Sequence, residues 1–373
     1  MIRSILAVFL FWFTLVGGAS AQNCNPYPNT LANGTNANAD QVMANFNLVR
    51  DCVNNLSLSG GGGMTNRLIN PNGQIWQRAN SGAAAITDIT YAFDRWYGMT
   101  QTAGVTASQL ANVENGTPYM MRLSQANASA QRFGIAQVIE NANSIDLRGK
   151  AVVLSARVRM SASTTLRYAV IEWTGTADTV TKDFVNDWTS GTFTPGNFFT
   201  SAGTTITATG SIALTANTLA TISLTGTIGN SANNVAVMFW TDSTQAQNVT
   251  LDIGKVQLEI GTAATALAVR SASQEMLDCK RYYQQVKWYL EGNVVGATAR
   301  YTSTVTFSEM RTVPSTSRIT TGFSSNIRNN DPANFVLFGA LMMSTNSATI
   351  SAEAAAAGTI TAGNFVDSLS AEL

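Results

Sequence analysis

The segment Ala151-Val152-Val153-Leu154-Ser155-Ala156-Arg157-Val158-Arg159-Met160 constrains the fold more than any other stretch of the chain. It opens as an apolar run and then alternates apolar with polar, the pattern of a strand with one buried face in a sandwich. Comparable runs, rich in β-branched and aromatic residues, recur at Phe133–Ile139, Arg167–Trp173, Ile212–Thr215, Leu219–Leu224 and Val235–Trp240. Gly, Asn, Asp, Ser and Thr separate them, and almost no helical pattern intervenes. Many short strands at this spacing predict a mainly β chain with a jelly-roll β-sandwich over residues 65–272.

Charge chemistry narrows the function. Only 12% of the 373 residues are charged, against about 25% in an ordinary globular protein. The 22 basic and 22 acidic residues cancel, which argues against a nucleic-acid partner, because such a surface must replace counterions with positive charge. There is no histidine, so Ser-His-Asp and Cys-His catalysis and zinc sites with His ligands are excluded. Carboxylate-pair catalysis and calcium bound by oxygen ligands survive.

The chain opens Met1-Ile2-Arg3, runs apolar from Ile5 to Val16, and reads Ala19-Ser20-Ala21 before Gln22. One early positive charge, a short apolar core and an Ala-x-Ala site predict a secretory signal peptide over residues 1–21. An uncleaved N-terminal anchor or a buried strand is the alternative. If the chain is exported, Cys24 and Cys52 pair as a disulfide, worth about 3 kcal/mol, while Cys279 stands apart. If it is not, all three are reduced thiols.

Residues 22–58 form a helical leader. Val42, Phe46, Val49, Val53 and Leu56 alternate steps of four and three, a heptad seam that suits either an amphipathic helix packed on a domain or a short parallel coiled coil. Ser59-Gly60-Gly61-Gly62-Gly63 then breaks the helix, making residues 59–64 a flexible joint. At the other end, Gln274–Leu290 starts as a helix and passes into a strand. Tyr301–Phe307, Phe335–Leu341 and Ala348–Ala352 continue as strands, so residues 273–373 read as a smaller C-terminal β-domain.

Several motifs in order resemble the β-sandwich module and flanking parts of phage and prophage tail-fibre proteins. They are Asn66-Arg67-Leu68-Ile69-Asn70-Pro71-Asn72, Trp76-Gln77-Arg78, Phe93-Asp94-Arg95-Trp96, and Asp146-Leu147-Arg148-Gly149-Lys150. The densest is Val256-Gln257-Leu258-Glu259-Ile260-Gly261-Thr262-Ala263-Ala264-Thr265, followed by Glu275 and Cys279-Lys280-Arg281-Tyr282-Tyr283. Phe307, Met310-Arg311, Pro314 and Ser368 to Leu373 fit the family's C-terminal domain, and Tyr27-Pro28 through Asn54 its helical leader. The chain departs from the family pattern at Ala266, Leu267, Ala268 and Lys280, all in a connector, and in its export leader.

The resemblance implies a non-catalytic virion fibre or spike subunit that recognises host surface polysaccharide as a homotrimer beside other virion proteins. A secreted prophage-derived adhesin or lectin-like protein is the alternative, favoured by the leader. Recognition of that kind stacks sugars on aromatic faces, which makes Trp188, Trp96, Tyr97 and Trp173 the glycan-binding candidates. Trp188 is foremost because Asp187, Thr189 and Ser190 flank it. Core packing is the competing role for Trp96, Trp173 and Trp240.

A polysaccharide depolymerase is a second alternative. It would need two carboxylates about 5–9.5 Å apart across the scissile bond, drawn from Asp94, Glu140, Glu172, Asp183 and Asp187. No catalytic residue, cofactor or metal is assigned, although Asp252 and Glu259 leave a structural calcium ion open. Tyr282-Tyr283 and Arg281 read as a packed hinge, and Cys279 as a small buried residue.

Overall fold

The computed structural model describes residues 38–60, 65–78, 82–114, 116–294, 300–318, 335–354 and 358–373. The leader 1–21, Cys24, residues 61–64 of the joint and the side chain of Cys52 lie outside the described residues, and the Cys24–Cys52 pairing falls there with them. The chain divides into two units between Gly63 and Met64.

The first unit carries helix α1, Ala39–Gly60. Asn38 caps it, its Oδ1 accepting the Asp40 N–H at 2.9 Å and its carbonyl accepting Gln41 and Val42. The helix runs two residues past Leu58, through Ser59 and Gly60, so the first joint residues finish the helix rather than end it. At 1.5 Å per residue it is about 33 Å long. Met43, Phe46 and Val49 are exposed along it, Phe46 by 64%.

The second unit opens with twelve strands: β1 (Ala83–Ile86), β2 (Tyr91–Phe93), β3 (Trp96–Thr100), β4 (Val105–Glu114), β5 (Thr117–Ser124), β6 (Phe133–Ile139), β7 (Ala151–Met160), β8 (Thr164–Trp173), β9 (Thr204–Leu214), β10 (Ala220–Thr227), β11 (Asn234–Thr241) and β12 (Thr250–Ile260). They form two six-stranded sheets in the orders β1-β4-β5-β12-β7-β10 and β2-β3-β6-β11-β8-β9. Every pairing within them is antiparallel. If β5 to β12 are counted one to eight, the sheets run 1-8-3-6 and 2-7-4-5, the double Greek key of a jelly roll. The remaining strands widen one edge of each sheet.

Between the sheets, Leu154, Ala156, Val158 and Met160 of β7 meet Val235, Val237 and Phe239 of β11. The double-sided start of β7 has a physical cause. Val153 pairs with Glu259, and Glu259 lies beneath the 262–270 connector, accepting the Thr265 N–H at 2.8 Å and its hydroxyl at 2.6 Å. Gln257 is held there too, through the Ala268 N–H at 2.8 Å. The outer face of the first sheet is covered at this end, so Val153 is as buried as the inward residues.

Residues 65–78 make no strand, yet they fill the place beside β12 beyond Ile253. Buried asparagines substitute for a ladder: Asn66 donates to the Val256 carbonyl and accepts the Leu68 and Leu258 N–H groups. Asn70 donates to the carbonyls of Ile75 and Asp94. The Asn-rich motif at 66–72 is therefore structural.

Helix α2 (Asn141–Ser144) and a following turn lead into β7, and α3 (Ala272–Lys280) follows the sandwich. Beyond it, β13 (Tyr283–Val294), β14 (Arg300–Thr306), β15 (Ser315–Arg318), β16 (Phe335–Met343), β17 (Ser347–Ala354) and β18 (Gly358–Ser370) form two three-stranded sheets, β13-β18-β15 and β14-β17-β16. Ser271 caps α3 by accepting the Gln274 N–H. Cys279 is fully buried with Ile69, Ile75 and Tyr282, and burial pushes its thiol well up, aided by the charges of Asp94 and Glu275.

Candidate functional site

Between β8 and β9 the chain makes a long excursion, residues 174–203, that lies over the outer face of the second sheet. Its Val180, Phe184, Val185, Phe198 and Phe199 pack on Tyr97, Met99, Val138, Ile171 and Met238. Phe198 stacks on Trp240 with ring centres 5.0 Å apart, and Phe199 meets the same indole edge-on at 5.7 Å. The ends of the loop are joined by Thr174 N–H to the Gly203 carbonyl at 2.7 Å. Trp173 stands between them: a Cβ on Gly175 would lie 2.5 Å from its ring, and one on Gly203 2.8 Å.

This cover decides where the aromatic candidates go. Trp96 points between the sheets, 0% exposed, its indole N–H donating to the Asn70 carbonyl at 2.9 Å. Tyr97, its neighbour in β3, points the other way beneath the loop, also 0% exposed, and donates to the Lys182 carbonyl. Trp173 is 8% exposed and spends its N–H on Thr176. None of these three offers a sugar a free face, and Trp240 is likewise a core residue. Trp188 alone of the four candidates is half-buried, its ring nearly perpendicular to that of Phe198 with centres 5.9 Å apart.

Polar residues flank Trp188 along the loop. Asp187 accepts both the hydroxyl of Thr189 at 2.7 Å and its N–H at 2.8 Å, and these bonds, with the charge of Arg132, hold its carboxyl below the usual range. Asn186 donates to the Asn197 carbonyl at 3.0 Å, and Asn197 to the Thr194 hydroxyl. Phe193 lies nearby with the Arg167 guanidinium 3.8 Å above its ring, and Arg167 is paired with Asp242. A half-exposed indole can stack on a pyranose, and amide and carboxylate side chains in the same loop can bond its hydroxyls.

Four of the five carboxylates considered for hydrolysis hold structural positions, Asp187 being the exposed one. Glu140 pairs with Arg281 at 3.0 Å, and Glu172 accepts the Thr207 hydroxyl and the Gly229 N–H. Asp183 accepts the Val185 N–H, while Asp94 belongs to the cluster described below. The calcium ligands suggested by sequence are likewise committed: Asp252 is clasped by Arg122 and Arg159, and Glu259 by Thr265. Among the described residues, no three His, Cys, Asp or Glu side chains come together as a metal site. Nor is any described helix long and apolar enough to cross a membrane.

One cluster went unread in the sequence. Arg95, in the turn after β2 with φ 71°, is 1% exposed at its side chain. Its guanidinium donates to the Glu372 carboxylate and to the Val138 carbonyl, and lies 3.6 Å above the Tyr282 ring. Arg78 reaches Glu372 at 2.9 Å and Asp94 at 3.3 Å while covering the Tyr283 ring at 3.7 Å. Gln77 donates twice to Asp94, and Tyr91 donates to the Leu373 carbonyl at 3.2 Å. Burial pushes the Asp94 carboxyl up to about 6, against the pull of Arg78 and Gln77 and with the help of Glu372. The tyrosine pair at 282–283 thus packs under guanidinium groups.

No family model and no curated protein matches this sequence. The fold is similar to the enzymatically active domain of bacteriophage CBA120 tailspike protein 4, at 16% identity and a TM-score of 0.32, over 53% of this chain and 22% of that one. It is similar to TmCBM61, solved with β-1,4-galactotriose, at 9% identity and a TM-score of 0.32, over 53% of this chain and all of that one. The xylan-binding CBM22-1 domain of a Paenibacillus barcinonensis protein matches at 12% identity and a TM-score of 0.29, over 50% of this chain and all of that one. The chain spans about a fifth of the tailspike domain's length.

Proposed function

We propose that this chain is a non-catalytic fibre or spike subunit that recognises envelope polysaccharide through the tip of the 174–203 loop. The observation that carries the reading is Trp188: it is half-buried, its ring packs on Phe198, and the exposed Asn186 and Asp187 precede it in the loop. Each site binds weakly, and several on one assembly combine through effective concentration. The same chemistry serves a secreted adhesin, a reading favoured by Ala19-Ser20-Ala21. On a glycan array, Trp188→Ala is expected to cut binding about tenfold or more while melting as the parent does. Unchanged binding removes Trp188 from the site, and release of reducing ends from a bound polysaccharide replaces the non-catalytic reading.

Assembly follows from α1. Phe46 and Val49 of the heptad seam are 64% and 39% exposed, and two further copies of the helix would cover them. Sedimentation equilibrium is expected to give a three-chain mass. Phe46→Glu, which places a charge in the seam, is expected to give single chains. A wild-type monomer would reduce the seam to an amphipathic face.

A further inference from the structure

We propose that the open half of the first sheet's outer face binds anionic polysaccharide, independently of the Trp188 loop. The connector 262–270 covers one end of this face; the other end bears charge in cross-strand rows. In the first row Asp252 of β12 is flanked in register by Arg122 of β5 and Arg159 of β7. Arg122 donates to it from Nε at 2.6 Å and Nη2 at 3.0 Å, and Arg159 from the same two atoms at 2.9 and 2.8 Å. In the second row Glu114 is paired with Arg157 at 3.1 Å and Lys255 at 3.4 Å. Arg157 also donates from Nη1 to Thr221.

The arrangement exceeds what holding the sheet together requires. Two carboxylates face four cations, in a chain whose formal net charge is zero, so the excess positive charge is local. In the first row Asp252 is 1% exposed while Arg122 and Arg159 are 27% and 22% exposed, so the negative charge there lies beneath the positive; in the second row Glu114, at 24%, is level with Arg157 and Lys255. The guanidinium planes of Arg122 and Arg159 are each fixed by bonds from Nε and Nη2, and that of Arg157 by its bonds to Glu114 and Thr221. Preorganised guanidinium is the group best suited to carboxylate and to sulfate or phosphate esters. Arg122 and Arg159 are two strands apart, about 10 Å. That spacing is comparable to the rise of a disaccharide, so the two guanidinium groups can meet every second carboxylate of a chain that is acidic at each sugar. The row therefore fits a charged polymer lying across the strands.

The test measures binding of the full chain to polygalacturonate and to uncharged dextran of similar length. Polygalacturonate is expected to bind, more tightly at low salt, and dextran not to bind at this face. Arg157→Gln and Lys255→Gln leave the clasp on Asp252 intact, and each is expected to weaken polygalacturonate binding about tenfold, the worth of one charge-assisted hydrogen bond. Trp188→Ala is expected to leave that binding unchanged, so failure here and failure of the loop reading are separate results. The proposal is overturned if dextran binds equally well, if both glutamine variants keep full affinity with unchanged melting, or if a DNA oligonucleotide of matched charge displaces polygalacturonate at equal concentration.

Discussion

Replacing Glu372 with alanine is expected to cost about 3–5 kcal/mol of folding free energy, because it strands a buried guanidinium. Arg95 is 1% exposed and has no water to turn to, and Arg78 loses one of its two carboxylates. In a unit of this size that loss corresponds to a melting temperature lower by about 10 °C. Glu372→Gln keeps an acceptor for Arg95 and is expected to lose roughly half as much. The effect belongs to residue 372 although the chain reaches it only after β18, because the charge is received by the β2–β3 turn of the sandwich. Thermal unfolding of the two variants beside the parent checks this. Equal and small losses in both would show that the guanidinium is solvated after all.

The same cluster sets a pH dependence. Asp94 titrates near 6 in the folded chain and near its ordinary 3.8 when unfolded, so the folded state keeps the proton to higher pH. Folding therefore takes up a proton between about pH 4 and 6, and this group's contribution to stability is fully present below 4 and lost as pH rises through 6. The full loss is about 3 kcal/mol at 1.4 kcal/mol per tenfold change in proton affinity. Asp94→Asn carries no such proton. The stability difference between the asparagine variant and the parent is expected to grow in the variant's favour from pH 4 to 6 and then level off. A difference that stays flat over that range would mean Asp94 titrates normally in its place between Gln77 and Arg78.

Much of the architecture was legible because burial on one face leaves a period of two in the sequence. The runs Phe133–Ile139 and Ala151–Met160 coincide with β6 and β7, and the helix-then-strand pattern of Gln274–Leu290 falls on α3 and β13. The β4–β5 hairpin escaped because its pattern is diluted: inward-facing Gln109 spends its amide on the Gly73 and Gln74 carbonyls, so a polar residue stands where an apolar one was sought. A signal did exist in Asn115-Gly116, a dipeptide that favours hairpin turns, and Gly116 has φ 77°. Strand β18 has few large residues and gave no periodic cue.

The site was harder to read for a different reason. Alternation tells which residues share a face but not what covers that face. Residues 174–203 look like a solvated loop, being rich in Thr, Asn, Asp and Gly, yet Phe184, Phe198 and Phe199 turn them into a third layer. That layer buries Tyr97 and Trp173, which on an uncovered sheet would have been exposed. Trp96, facing the other way, was lost to the inter-sheet core. The Arg95–Glu372 pair joins positions so far apart in sequence that no local pattern could link them.

Trp173 gives that third layer a particular freedom. With Gly175 and Gly203 both pressed against its indole, the entry and exit of the loop are locked to the end of β8, whatever lies between. Phe184, Phe193, Phe198 and Phe199 fasten the underside, leaving the stretch from Asn186 to Gly191 as an interchangeable cartridge. A lineage of such chains could rewrite that tip for each new surface it met, and the sandwich below would not register the change.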